Sequence, residues 1–340
     1  MLFRRLTLPA VIALSLAVPA FAFAAATAAQ APTSVAWTPT KSIDFSPKHN
    51  VLIRSEDGTL TPMDVPYYKS ELIAPGTWKI ESDGDFSYLI EGDNEALAID
   101  TGYGAGNIRE YLQTLTKKPV RYVANTHDHF DHTANNSYFD KAFMSAETAK
   151  KATIPFKSFV GINFPNDYPK EIVGDGYKFQ LGNREVDVFL IPNHTTGGTA
   201  YLDKRSRILF SGDEIFQGNN TVSAVGSVAQ YERNMSKLAA HRSAFDKLAT
   251  GGFGVIDASW VDKYLANTRY ILAGNEGVPV VPQQRPAALP ADPSAPMTYR
   301  RRFPRPGDGG AGAGGAPNEN LRKMIYEGSG ITYDIRRIRD

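Results

Sequence analysis

The chain of 340 residues contains no cysteine. That excludes disulfides, thiolate metal sites and cysteine nucleophiles, so stability must come from a packed core or from metals held by other side chains. An excess of either charge is also missing: 37 basic and 36 acidic residues leave a formal net charge of +1. That balance argues against a nucleic-acid partner, and the short runs Arg300-Arg301-Arg302 and Arg336-Arg337 read as solvated surface. Beyond the N-terminus no apolar run is long enough to span a bilayer.

The N-terminus itself is the exception. A basic start at Arg4-Arg5 leads into an apolar run from Leu6 to Ala26, broken by Pro19 and ending in small residues. This predicts a signal peptide over residues 1–26, cleaved somewhere between 24 and 31, and a periplasmic or secreted product with no membrane attachment afterwards. An uncleaved anchor is the alternative; the proline and the alanine-rich end argue against it. About 310 residues remain, enough for one large α/β domain. Residues 27–75 read as an irregular N-terminal extension and 76–277 as the main domain. Residues 278–318 are a Pro/Gly-rich linker or long loop that includes Gly307–Gly315, and 319–340 form a terminal segment with strand character at Ile331–Ile335.

What is present in abundance is local. Thr126-His127-Asp128-His129-Phe130-Asp131-His132 packs three of the six histidines and two carboxylates into seven residues. Imidazole and carboxylate are the usual non-sulfur ligands of zinc. His127 and His129 can reach one metal from a loop leaving a strand, while Asp131 and His132 project toward a second. Metals roughly 3.5–4 Å apart are the arrangement that generates a nucleophile from water at neutral pH. A surface loop that merely happens to be rich in histidine is the plain alternative. His49 reads as surface.

This H-x-H-x-D-H run resembles the signature of the metallo-β-lactamase superfamily. Other segments resemble that family in order: Asp100-Thr101-Gly102, Pro192-Asn193-His194-Thr195-Thr196-Gly197-Gly198, and Phe210-Ser211-Gly212-Asp213. The resemblance covers about residues 75–275. It implies an α/β fold, an αββα sandwich of two mixed sheets flanked by helices. It also implies that Asp100 braces the metal loop and that His194 completes the first site with His127 and His129. Asp213 would bridge to a second site of Asp131 and His132. Zinc, one or two ions per chain, is the implied cofactor, with manganese or iron as other fillings.

The fifth motif departs from the pattern. Where the family usually carries Gly-His-Gly, the chain reads Gly251-Gly252-Phe253-Gly254, and phenylalanine cannot ligate. His241 is the remaining candidate nearby. Leu238, Phe245 and Leu248 recur at helical spacing, which predicts a helix over 229–249 with His241 on its apolar face. A second helix is expected over 259–273. Strands are expected at Trp78–Glu81, Phe86–Ile90, Ala96–Asp100, Val120–Ala124, Glu185–Pro192, Thr199–Leu202 and Arg207–Ser211, and a helix from Asn107 to Leu115. Gly102-Tyr103-Gly104-Ala105-Gly106 lacks G-x-G-x-x-G spacing, so the glycines read as a tight turn and not a dinucleotide loop. The irregular stretch from Thr153 to Gly176 holds Phe156, Phe159, Phe164 and Tyr168. It either walls a substrate pocket or packs the loop onto the sheet.

Function follows from the resemblance as an expectation. It is an exported zinc-dependent hydrolase in which a metal-bound hydroxide cleaves an ester, thioester or lactone of a small-molecule substrate, with Asp131 and Asp213 in the catalytic centre. The rivals are a β-lactamase, a mononuclear iron oxidoreductase acting on a sulfur substrate, and a metal-binding protein without catalysis.

Overall fold

The computed structural model describes residues 43–44, 52–54, 60–62, 65, 68–82, 85–102, 106–155, 162–222, 226–280, 298–299 and 319–339. The expected signal peptide, His49, Phe156, Phe159, most of the glycine turn 102–106 and most of 278–318 lie outside these.

The first sheet has seven strands in chain order: β1 (Lys69–Ala74), β2 (Thr77–Ser82), β3 (Asp85–Glu91), β4 (Ala96–Ile99), β5 (Val120–Ala124), β6 (Lys141–Met144) and β7 (Lys170–Ile172). Pairing is antiparallel from β1 to β4 and parallel from β4 to β7. The second sheet takes β8 (Lys178–Gln180), β9 (Glu185–Leu190), β10 (Thr199–Asp203) and β11 (Ile208–Gly212). The chain then leaves through β12 (Asn219–Thr221) and returns to this sheet with β13 (Lys247–Thr250) and β14 (Gly254–Asp257). Only β11 and β13 run parallel among its neighbours.

Alternation along the strands decides the layers. Tyr88, Ile90, Leu97 and Ile99 from the first sheet pack against Val186, Val188, Tyr201 and Phe210 from the second. Leu89, Ala96 and Ala98 point the other way, under α1 (Ile108–Leu115), which buries Ile108 and Leu112. The outer face of the second sheet, including Leu202, Leu209 and Leu248, is covered by α4 (Val228–Ala239) and α5 (Ser259–Leu272). Two short helices, α2 (Phe130–Thr133) and α3 (Ala146–Lys151), lie between α1 and α4 in the chain. The αββα sandwich of two mixed sheets is therefore present.

Helix starts follow local chemistry. Asn107 and Ser227 cap α1 and α4 by accepting from the backbone N–H groups of Glu110 and Gln230 at 3.3 and 3.0 Å.

Three expectations are corrected. Residues 69–74, assigned to an irregular extension, form an edge strand of the first sheet. The helix expected over 229–249 ends at Ala239, and residues 247–250 form β13. Leu238, Phe245 and Leu248 do share one apolar cluster, but from a helix, a connection and a strand, because pairing with β11 overrides the helical spacing. His241 is consequently exposed at the cap of a 3₁₀ turn, its ring 4.8 Å from Phe189, and not on a buried helical face.

A third sheet closes the end of the chain. β15 (Val278–Pro279), β16 (Leu321–Tyr326) and β17 (Ser329–Asp334) join β12, which pairs in parallel with β17. Ile331 and Tyr333 are buried in the cluster of α4 and α5. A further small sheet pairs Leu52–Arg54 with Leu60–Pro62 and Thr298–Tyr299.

Candidate metal centre

The histidine loop leaves the carboxyl end of β5, Asp100 follows β4, and Asp213 follows β11. His194 lies in the connection from β9 to β10. All arrive at one edge of the sandwich, where rigid strands position side chains that loops carry. The two sheets are stitched there by Thr199 N–H donating to Thr126 O at 2.8 Å and the Tyr201 hydroxyl donating to Asn125 O at 2.6 Å.

Three groups bring ligand-capable atoms within 4.8 Å of one another: His127, His129 and His194; His127, His132 and Asp213; and Asp85, Asp131 and His132. Every residue of the sequence-derived set falls into one of them. His241 belongs to none among the described residues. Asp213 Oδ2 is 3.7 Å from both His132 Nε2 and His194 Nε2, so it links the second group, to which it belongs, with the first.

Asp100 organises this cluster from beneath. It holds a left-handed backbone, φ 58°, which aspartate tolerates better than most residues. Its carboxylate accepts from Thr126 N–H at 2.7 Å, from the Thr126 hydroxyl at 2.6 Å and from His132 Nδ1 at 3.0 Å. With its proton given to Asp100, the Thr126 hydroxyl is left to accept from His127 Nδ1 at 3.0 Å. Both rings thereby have Nδ1 occupied and turn Nε2 toward the cluster, the nitrogen at which a metal would stand in place of a proton. Across the site His194 Nε2 stands 3.0 Å from His129 Nδ1.

Whether a metal fits is answered by the buried atoms left without a partner. His127 Nε2, His132 Nε2, Asp131 Oδ1 and Asp213 Oδ1 all lack one. The two histidine side chains are 0% and 1% exposed. Each such buried atom costs about 1–3 kcal/mol. Four of them together rival the whole stability of a typical domain, about 5–15 kcal/mol, so a cation is the economical partner. The electrostatics agree. Burial depresses His132, yet Asp213, Asp131 and Asp100 outweigh it and draw a proton onto the ring, holding it well above the usual imidazole range. Those carboxylates call for positive charge. Burial, reinforced by His132, His129 and His194, keeps His127 far below that range, and burial pushes His194 down to about 4. Burial would raise Asp213, but His132, His194 and His129 win and hold it at about 2. Neutral imidazoles and an ionised carboxylate are the forms that bind zinc.

Two further residues were not singled out from the sequence. Buried Glu214 accepts from His194 N–H at 2.7 Å and from Thr195 N–H at 3.3 Å, and burial pushes its own carboxyl up to about 8. It sets the His194 connection in place. The other is Asp85. Its sequence signal was faint, because it lies 42 positions before His127 in no motif. The register could have found it: Tyr88 pairs with Ile99, which puts the start of antiparallel β3 at the same sheet end as Asp100.

The aromatic stretch after Thr153 is a support rather than a wall where it is described. Phe164 is buried edge-on to Phe130 at 4.6 Å, and the Tyr168 hydroxyl meets Thr153 Oγ1 at 2.8 Å and Asn136 Nδ2 at 3.0 Å.

The human acyl-coenzyme A thioesterase MBLAC2 is 27% identical over 165 residues, 39% of this chain and 58% of that protein. The 2,4-dinitroanisole O-demethylase subunit alpha of Nocardioides sp. is 32% identical over 165 residues, 45% of this chain and 48% of its own. The chain thus spans about half the length of these relatives. Among solved structures, the mono-zinc form of the metallo-β-lactamase FIM-1 from Pseudomonas aeruginosa has a TM-score of 0.48 at 15% identity, covering 62% of this chain and 98% of that one. That likeness is too slight to carry any argument. The family match is not: residues 83–256, about half of the chain and the whole of the site from Asp85 to Phe253, fit the metallo-β-lactamase superfamily, and the chain belongs to it.

Proposed function

We propose that the protein is a zinc-dependent hydrolase that cleaves an ester, thioester or lactone of a small molecule. The observation that carries this reading is the convergence of partnerless His127 Nε2, His132 Nε2, Asp131 Oδ1 and Asp213 Oδ1 at the strand ends. His127, His129 and His194 would hold one ion, Asp131 and His132 a second, with Asp213 between them. Zinc held there would supply a Lewis acid for a carbonyl and would make a water acidic near neutral pH. The chain's own part is placement. The Asp100–Thr126 pair fixes the two imidazole tautomers, and Glu214 fixes the backbone that carries His194. The side chains of Asp131 and Asp213 remain 21% and 16% exposed, so these are carboxylates of the cluster that a water or substrate arriving from solvent can meet.

Beside His194 stands Phe216, ring centroids 6.3 Å apart, with Phe253 a further 5.4 Å on. This half-buried aromatic pair offers an apolar surface for the acyl portion. The thioesterase among the relatives supports the same substrate class. The basic, then apolar N-terminal segment supports export, which the mass of the secreted product would test.

The test is a panel of acyl-coenzyme A thioesters, aryl esters, lactones and nitrocefin. Thioester or ester turnover should vanish with a chelator, return with zinc, and be absent in His127→Ala. Full turnover by Asp213→Ala in metal-free buffer would overturn the metal assignment, and nitrocefin as the best substrate would overturn the substrate class.

A further inference from the structure

Phe253 stands where the family's last histidine is expected, which leaves the second metal short of a protein ligand. We infer that Asp85 supplies it. This rests on the metal-dependent reading above and names a ligand for its second site.

Asp85 is the first residue of β3, far from every motif in sequence. Its carboxylate nevertheless lies within 4.8 Å of ligand atoms of both Asp131 and His132. The placement is enforced by the backbone. Phe86 N–H donates to Gly251 O at 2.8 Å, and the Tyr88 hydroxyl donates to Thr250 O at 2.7 Å. Together they pin the start of β3 against the fifth-motif turn, so Asp85 enters the cluster from the side on which the histidine is lost.

Phe253 itself is engaged elsewhere. Its N–H donates to Thr250 Oγ1 at 2.9 Å, and its ring packs beside Phe216 and the apolar cluster of the second sheet. Gly251 is just as telling: a Cβ there would meet Asp213 Oδ1 at 2.2 Å and His132 Cε1 at 2.5 Å. The turn therefore presses its backbone directly onto the site and contributes no side chain from that position. An independent pointer to a ligand is His132 Nε2, buried, partnerless and facing this group.

With Asp85, the second site has Asp85, Asp131, His132 and Asp213, three carboxylates and one imidazole. Such an oxygen-rich set suits zinc but shifts preference toward harder divalent ions such as manganese relative to the histidine-rich first site.

Zinc titration by calorimetry, metal counting by mass spectrometry, and cobalt absorption spectra on the full chain test this. The unmodified protein should bind two zinc ions. Asp85→Asn and Asp85→Ala should keep the first affinity and weaken the second by at least about tenfold, with matching loss of one cobalt chromophore and unchanged circular dichroism. Manganese should compete with zinc more effectively at the second site than at the first. Two ions bound with unchanged affinities in both variants would overturn the assignment of Asp85 while leaving the metal-dependent reading intact. No zinc bound by the unmodified protein would overturn that reading itself.

Discussion

β3 ends in two different kinds of buried polar cluster. At its start, Asp85 joins the metal-binding groups, where four buried atoms lack protein partners. At its end, Glu91 O accepts from Arg184 at 2.8 Å. Arg184 is as buried as His132, with a side chain 1% exposed, yet all five of its N–H donors are used. Nε donates to Asp203 Oδ2 at 3.1 Å, and one terminal nitrogen to Gly76 O and Glu91 O, both at 2.8 Å. The other terminal nitrogen donates to Thr77 Oγ1 at 2.5 Å and to Asp203. Asp203 in turn accepts from the N–H groups of Arg205 and Ser206 at 3.1 and 3.2 Å. One end of the sandwich is a closed polar rivet between the sheets; the other gathers ligand-capable atoms that have no hydrogen-bond partner among the described residues. Buried charge alone does not mark a functional site. What distinguishes the Asp85 end is that its partnerless atoms are ligand-capable and lie together.

The difference can be broken at either end. Removing metal is the largest expected effect: chelation should reduce hydrolysis to background and lower the melting temperature, since a ligand bound only by the folded state stabilises it. An unchanged melting curve would mean that the open valences are filled in some other way. Arg184→Met strikes the closed cluster and leaves Asp203 buried without its partner. It should destabilise by about 3–5 kcal/mol, with zinc stoichiometry per folded molecule unchanged; loss of metal in that variant would show that the two ends are coupled. Asp100→Asn is the smallest and sharpest change. Asparagine keeps the left-handed backbone, but its amide group cannot accept from Thr126 N–H, the Thr126 hydroxyl and His132 together. Zinc affinity should fall about 10- to 100-fold, measured by competition with a chelating dye.

Much of this was legible in the sequence because it is local. The histidine run needs seven consecutive residues, and the strands that deliver it alternate in a way that any core imposes. What was missed is non-local. Asp85 reaches the site only through the register of β3 and β4, and Glu214 only through a fold that sets it beneath the His194 backbone. The helix extended too far past Ala239 failed for a related reason: Leu248 fits a helical spacing as well as a strand, and only pairing with β11 decides. Residues 69–74 were hidden in the same way, as an edge strand with four of six residues exposed.

The third sheet also sets a schedule. Asn220, seven residues beyond Asp213, donates to Glu214 O at 2.8 Å, and its strand is paired by residues 330–332. Val222 N–H finds its acceptor in Thr332, and Ala229 N–H in Ile338. During synthesis, therefore, the segment behind Asp213 cannot take its final form until more than a hundred further residues have left the ribosome. A protein truncated before residue 330 should therefore build its histidine loop but leave the segment that follows Asp213 without its pairing strand.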